Sequence, residues 1–189
     1  MTLHPDGPAL ASERPLDRAA APPAAPGASD LLRRALRAGL VTGIVDGLWA
    51  CVLVTVFYHS TITRLWQGVA ATLLGPSALQ GGTATAAIGV AMHFGVALGW
   101  SAVFLALAER SRRVRRLLAS RLGPLKAAAV FGPFVWMVMS LLVIPILTHR
   151  PPRITIRWWI QLLGHIPFVG LPIAWMVGQA YRDGEPGRS

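Results

Sequence analysis

Four long apolar segments follow one another along the chain, separated by short polar stretches. They run from about residue 38 to 58, 83 to 108, 124 to 147 and 157 to 180. A bilayer core about 30 Å thick is crossed by roughly 20 helical residues, so each segment is long enough to span it. The segments lack the alternating pattern of membrane barrels. The sequence therefore predicts an all-α integral membrane bundle of four transmembrane helices.

The stretch between the first two spans carries a helical stripe of its own. In "ITRLWQGVAATLLG", apolar residues recur at helical spacing. This pattern predicts a short amphipathic helix that lies on the outer membrane surface. A re-entrant segment is the alternative. The stripe consists of Ile62, Leu65, Trp66, Val69, Ala70 and Leu73.

Polar tails flank the apolar part of the chain. Residues 1–30 are rich in Ala and Pro and contain no continuous apolar core of the kind found in signal peptides. We expect a disordered cytoplasmic tail there. Residues 31–182 form the predicted four-span domain, and residues 183–189 form a second cytoplasmic tail.

The composition supports a membrane location. Hydrophobic residues make up 53% of the 189 residues and charged residues 14%, with a mean hydropathy of +0.51. Soluble domains carry roughly 25% charged residues. The net charge is +10. Because most arginines flank apolar segments, we interpret them as topology signals and expect no nucleic-acid partner.

The distribution of Lys and Arg predicts the orientation. Fourteen of the eighteen basic residues lie before the first span, between the second and third, or after the fourth. The other four are Arg64, Arg150, Arg153 and Arg157. Under the positive-inside rule we expect a multi-pass membrane protein with both termini in the cytoplasm.

The basic segment 110–126, "RSRRVRRLLASRLGPLK", has two interpretations. It can act only as the charge cluster that fixes the topology. It can also bind anionic lipid headgroups.

Small residues four positions apart form ridges on three of the spans. Such ridges let helix backbones approach closely in lipid, where packing drives association. The partner helix can belong to this chain or to a second copy, so a homo-oligomer is possible. The ridges are Gly39, Gly43 and Gly47; Ala91, Gly95 and Gly99; and Gly170, Ala174 and Gly178.

Three tryptophans lie near the predicted outer boundary. They are Trp66 in the loop and Trp158 and Trp159 at the start of the fourth span. Their positions are typical of an interfacial aromatic belt.

Ionisable residues from three spans fall near the middle of the membrane. At 1.5 Å per residue, Asp46 lies about 10 to 12 Å from the inner end of its span. By the same rise, His93 and His165 lie about 15 and 12 Å from the outer ends of theirs. Gln161 lies one turn from His165 on the same face. Since isolated charges at this depth are costly, we expect Asp46, His93, His165 and Gln161 to face one another.

This polar cluster supports several functions. It can serve as interhelical hydrogen-bond glue. It can handle protons or a small solute. His93 and His165 can also ligate a b-type haem in an electron carrier, although otherwise no cofactor or metal is expected. A helper subunit of a larger complex is a further class. The sequence contains none of the common hydrolytic or phosphate-binding motifs, so we expect a non-enzymatic protein.

Two stretches resemble a known family. "AMHFGVALGWSAVFLALAE" and "PILTHRPPRITIRWWIQLLGHIPFVGLPIAWMVG" carry the likeness, with Pro145, Pro151–Pro152 and Gly164–His165 as matching features. They resemble the YagU-like family of bacterial inner-membrane proteins over about residues 85–180. The resemblance implies an inner-membrane location and a link to survival in acid. It adds weight to His93 and His165, whereas Asp46 lies outside it.

Overall fold

The structure, a computed structural model, describes residues 26–182. Most of the predicted tail 1–30 and all of the tail 183–189 lie outside that range. Within it the chain is helical, without strands. The helices are α1 (Ala28–Phe57), α2 (Ile62–Leu74), α3 (Gly82–Arg110), α4 (Arg112–Ala119), α5 (Gly123–Thr148) and α6 (Ile156–Arg182).

Four of these helices are long and apolar enough to cross a membrane: α1, α3, α5 and α6. They match the predicted spans, and the all-α, four-span fold class is confirmed. The first helix begins at Ala28, before the apolar segment, because it includes polar turns that hydropathy does not mark. There Asp30 lies 2.8 Å from Arg33 and 2.5 Å from Arg34. Such pairs at helical spacing favour the helix without adding hydropathy.

The bundle has two ends with different contents. In space, α1 lies between α3 and α6, and α5 packs along α6. Since the four spans alternate in direction, residues 26–34, 110–123 and 178–182 share one end, which we name the terminal face. Residues 58–81 and 149–157 share the other, which we name the loop face.

The half of the bundle next to the terminal face has a close-packed apolar core. Ala38, Phe104, Leu118, Ile173 and Val177 are at most 2% exposed there and belong to one contact cluster. Polar contacts cap this core, as Tyr181 donates a 2.7 Å hydrogen bond to Glu109. This half leaves little room for water or a solute.

The basic segment 110–126 is not an open loop, since most of it forms α4 and the start of α5. The Leu118 side chain of α4 is fully buried, and Arg115 donates to the backbone carbonyl of Ala108. Arg112, Arg113 and Arg116 remain exposed. Binding of anionic lipid by these arginines stays a prediction.

The amphipathic helix α2 is present where the sequence predicts it, and it packs across α3. A Cβ atom on Gly89 of α3 would lie 2.7 Å from the carbonyl carbon of Trp66 and 3.2 Å from the nitrogen of Ala70. Only glycine allows this approach of two backbones. Part of the apolar stripe therefore faces the bundle, while Ile62 and Leu73 remain exposed.

The glycine ridge of α1 faces α3. A Cβ atom on Gly39 would lie 2.6 Å from Leu98, and one on Gly43 would lie 2.6 Å from Phe94. A Cβ atom on Gly47 would lie 3.4 Å from the ring of His93. This ridge brings α1 and α3 together at the depth of Asp46.

The ridge of α6 packs against two elements. A Cβ atom on Gly170 would lie 2.6 Å from the carbonyl oxygen of Ala128 on α5. Ala174 is fully buried, and a Cβ atom on Gly178 would lie 3.5 Å from the carbonyl oxygen of Leu118 on α4.

The ridge of α3 makes no comparable contact within residues 26–182. Ala91 is exposed, and Cβ atoms on Gly95 and Gly99 would meet nothing within 4 Å. The spacing rule selects the wrong face of α3 for packing inside this chain, because an isolated glycine, Gly89, makes the close contact. A contact of this ridge with a second copy stays a prediction.

Candidate functional site

The bundle contains a partly open cavity of about 310 Å³ in the half towards the loop face. Side chains of α1, α3, α5 and α6 form its walls, and Leu65, Trp66 and Val69 of α2 also line it. The four residues of the predicted polar cluster all line this one cavity. They are Asp46, His93, His165 and Gln161.

Asp46 and His93 form the nearest ionisable pair. The Oδ2 atom of Asp46 lies 3.9 Å from the Nδ1 atom of His93. This separation is too long for a direct hydrogen bond and leaves space for a bridging water. Within residues 26–182 the Asp46 carboxylate accepts no hydrogen bond from a protein group. It therefore faces the cavity as a free acceptor.

His93 is held in place by the backbone of the neighbouring helix. Its Nε2 atom lies 2.9 Å from the carbonyl oxygen of Gly43 on α1. A carbonyl oxygen can only accept, so Nε2 carries the proton and donates it. In the neutral ring, Nδ1 then has a free lone pair directed towards Asp46. The indole ring of Trp66 covers the imidazole, with ring centroids 5.2 Å apart.

His165 is fixed in the same manner by its own helix. Its Nδ1 atom lies 2.7 Å from the carbonyl oxygen of Gln161, so Nδ1 donates and Nε2 is left with a lone pair. The α-helix ends at His165, and a π-helical turn over Ile166–Gly170 follows, in which Pro167 lacks a backbone donor. The ring also packs on Trp136, with centroids 4.8 Å apart.

The crossing of α5 and α6 positions His165 in depth. A Cβ atom on Gly132 would lie 2.6 Å from the carbonyl carbon of His165 and 3.0 Å from the Cα atom of Ile166. Backbone therefore contacts backbone at the residue that presents the imidazole. Gly132 follows Ala128 by four residues, so the spacing of small residues could have identified this contact on α5.

The cavity is large enough for water, and a few polar side chains interrupt its mostly apolar lining. With about 30 Å³ for each water in the liquid, its volume accommodates on the order of ten waters. The hydroxyl of Thr42 is buried in its wall and has no hydrogen-bond partner within residues 26–182. Thr42 precedes Asp46 by one helical turn, a spacing that could have identified it from the sequence. Polar partners of this kind are what a buried water requires.

The haem alternative fits this arrangement poorly. An axial histidine must direct a free nitrogen at the iron. In His93 the Nε2 atom is bonded to Gly43 and Nδ1 is directed at Asp46. His165 keeps Nε2 free, whereas His93 could bind iron only through Nδ1, beside the Asp46 carboxylate. Within residues 26–182 no three His, Cys, Asp or Glu side chains are grouped in a way that could hold a metal ion.

Two of the three tryptophans assigned to an aromatic belt have other roles. Trp66 reaches into the cavity, and Trp158 is only 9% exposed and donates a 2.9 Å hydrogen bond to the hydroxyl of Ser140. Trp159 is 51% exposed, as a lipid-facing residue would be. Position near a boundary does not reveal which side of a helix a tryptophan occupies.

Comparisons of the chain with protein-family models, with curated proteins and with solved structures each give no match. The resemblance to the YagU-like family therefore stays a prediction. Four helices that are long and apolar enough to cross a membrane identify the chain as a multi-pass helical membrane protein.

Proposed function

We propose that this is a non-enzymatic protein of a bacterial inner membrane whose cavity binds protons and passes them between Asp46, His93 and His165. One observation carries the proposal. The Asp46 carboxylate lies in a largely apolar cavity, 3.9 Å from His93, without a hydrogen-bond partner among the described residues. A carboxylate at this depth is costly unless it is protonated or paired, and that cost is typical of functional sites.

The alternative of interhelical glue accounts for the two histidines better than for the aspartate. His93 bonds Gly43 across the helix contact, and His165 bonds its own helix. Asp46 makes no such bond within residues 26–182, although structural polar groups in lipid are paired. Its geometry supports a group that exchanges a proton with water or with a neighbouring imidazole.

Three positions in the cavity can accept a proton. They are the Asp46 carboxylate, Nδ1 of His93 and Nε2 of His165, since the other imidazole nitrogens donate to carbonyls. A proton on Nδ1 of His93 would make an ion pair with Asp46, which lowers the cost of both charges. Water in the cavity would connect these positions to one another.

The packing of the two halves supports entry from the loop face. The core next to the terminal face is close-packed, while Trp136, Ile144 and Gln161 separate the cavity from an open depression on the loop face. The excess of basic residues around the terminal face makes the loop face the outer side. Protons would therefore reach Asp46 from outside, which suits the predicted link with acid survival.

Proton flux into proteoliposomes tests this function. Purified protein is reconstituted with an internal pH-sensitive dye, and a potassium gradient with valinomycin supplies the driving force. We expect flux above that of empty liposomes, and we expect Asp46→Asn to reduce it to the background. Asp30→Asn is the matched control, because it makes the same chemical change at the terminal face, where Asp30 pairs with Arg33 and Arg34.

Two results would contradict the proposal. Wild-type flux equal to that of empty liposomes, together with a lower melting temperature of Asp46→Asn, would indicate glue. Equal flux in wild type and Asp46→Asn would place the proton path elsewhere. An absorption spectrum with a Soret band that shifts on reduction would favour the haem carrier instead.

A further inference from the structure

The loop face contains a second concave site, which we name the vestibule. Its volume is about 770 Å³, and it lies between the end of α1, the loop after α5 and the start of α6. We propose that the vestibule binds an organic oxyanion, with a phosphate or carboxylate group carried on an apolar body. Its lining combines aromatic side chains with three arginines, and includes Tyr58, Trp136, Trp158, Arg150, Arg153 and Arg157.

The charge of the vestibule is positive and uncompensated. Its three arginines come from one short segment, and within residues 26–182 none has a carboxylate within 4 Å. The sequence contains no Asp or Glu between Asp46 and Glu109 or between Glu109 and Asp183. The loop face therefore carries Arg64 and these three arginines without any acidic side chain. Guanidinium groups bind carboxylates and phosphates through paired hydrogen bonds.

One of these arginines is oriented by an aromatic ring. The guanidinium carbon of Arg157 lies 4.1 Å from the centroid of the Tyr58 ring, which is a cation–π contact. Such a contact holds the cation in place and leaves its N–H groups free for a ligand. The geometry gives the vestibule a positioned cation as well as a positive field.

Two further donors in the lining lack a partner. The hydroxyl of Tyr58 and the indole N–H of Trp136 are buried, and neither makes a hydrogen bond within residues 26–182. Both side chains line the vestibule. A buried donor without an acceptor costs about 1–3 kcal/mol. Both donor atoms are covered in the wall, and after a small movement of the lining an oxyanion could accept from them, which a cation could not.

The remaining walls of the vestibule are apolar, which indicates that the ligand has an apolar part besides its acidic group. Pro145, Pro151, Pro152 and Ile144 line the vestibule beside the two tryptophans. A bare inorganic ion would leave this surface uncovered. A ligand with an acidic head and an apolar body would cover it and place its head among the arginines.

Binding of octyl phosphate to the detergent-purified full chain tests the inference. Tryptophan fluorescence gives the readout, because Trp136 and Trp158 line the vestibule. We expect saturable binding of octyl phosphate and no saturable binding of octanol. In the double variant Arg150→Gln/Arg153→Gln, we expect at least about tenfold weaker binding, because one charge-assisted hydrogen bond already corresponds to roughly that factor. Neither arginine has a side-chain hydrogen bond or ion pair among the described residues, so this variant should fold.

Arg64→Gln is the control on the same face. Arg64 lies outside the vestibule lining and donates to the carbonyl of Leu79. We expect this variant to bind octyl phosphate within about twofold of the wild type, because Arg64 is engaged with Leu79 and lines the neighbouring depression rather than the vestibule. Equal loss in Arg64→Gln and in the double variant would indicate a general field and would overturn the inference. Saturable octanol binding, or no saturable binding of octyl phosphate, would overturn it as well.

The natural source of the oxyanion can be a lipid headgroup or a soluble organic acid. Competition separates the two sources. Displacement of octyl phosphate by phosphatidylglycerol in mixed micelles, with phosphatidylcholine as the neutral control, would assign the site to a lipid. Displacement by octanoate but not by phosphatidylglycerol would assign it to a soluble acid. The inference depends on the vestibule alone, so it stands or falls independently of proton flux through the cavity.

Discussion

Replacement of Gly170 by alanine tests the contact that holds α5 against α6. The new Cβ atom would lie 2.6 Å from the carbonyl oxygen of Ala128, 2.9 Å from the nitrogen of Gly132 and 3.0 Å from the Cα atom of Ala128. All three neighbours are backbone atoms, so no side chain can rotate away. Normal carbon–oxygen contacts begin near roughly 3.3–3.6 Å. The two helices would therefore have to separate by about 0.7–1 Å.

Gly95→Ala on α3 is the matched control. A Cβ atom there meets nothing within 4 Å, so Gly95→Ala gains helix propensity of roughly 1 kcal/mol without a new contact. The difference between the two variants therefore isolates the helix contact. Overpacking of a closely packed interior costs about 1–3 kcal/mol. At about 2–4 °C for each kcal/mol in a chain of this size, Gly170→Ala should melt about 2–12 °C below Gly95→Ala.

The melting temperature is measured by tryptophan fluorescence in detergent. Equal melting temperatures for Gly170→Ala and Gly95→Ala would refute the reasoning, because the helices would then separate at no cost. A further expectation links this contact to the cavity. Since the same crossing carries His165, separation of α5 from α6 should also reduce proton flux.

Three other substitutions have expected outcomes. Thr42→Val keeps the side-chain volume and, in a hydrated cavity, should lower the free energy of unfolding by about 1 kcal/mol, whereas a higher melting temperature would indicate a dry cavity. Trp158→Phe removes the donor to the buried Ser140 hydroxyl and should cost about 1 kcal/mol in a melting experiment, with Trp159→Phe as the exposed control. Tyr181→Phe removes the hydrogen bond to the Glu109 carboxylate and should cost about 1 kcal/mol, so an unchanged melting temperature would contradict a role for that bond.

Hydropathy and helical periodicity are sufficient to predict the spans and the amphipathic helix. Both signals depend on local composition, because a helix that crosses the lipid must be apolar along its length. They cannot predict that α1 begins at Ala28, because charged residues around Arg33 form a helix without being apolar. Periodicity could have identified α4, because Val114, Leu117 and Leu118 recur at helical spacing between the arginines.

Depth in the membrane is sufficient to group these polar residues, because burying them in lipid costs less free energy if they face one another. They are Asp46, His93, His165 and Gln161. Depth does not show how an individual helix is rotated about its own axis. For that reason the sequence does not predict that His93 bonds Gly43, or that α2 closes the cavity with Trp66. Spacing alone likewise favours the ridge of Gly95 over the isolated contact at Gly89, because packing depends on the partner helix.

Three of the four spans contain a π-helical turn: Leu53–Phe57 in α1, Met139–Val143 in α5 and Ile166–Gly170 in α6. Each turn inserts one extra residue into the helical repeat, and one residue corresponds to about 100° of rotation. Deletion of a single residue from the turn Ile166–Gly170 would restore an ordinary helix and rotate Leu171–Arg182 by that angle relative to His165. The cavity-lining and core-lining halves of α6 would then no longer face the bundle together. The number of residues in this span therefore cannot change even by one, although its hydropathy would allow several residues more or fewer.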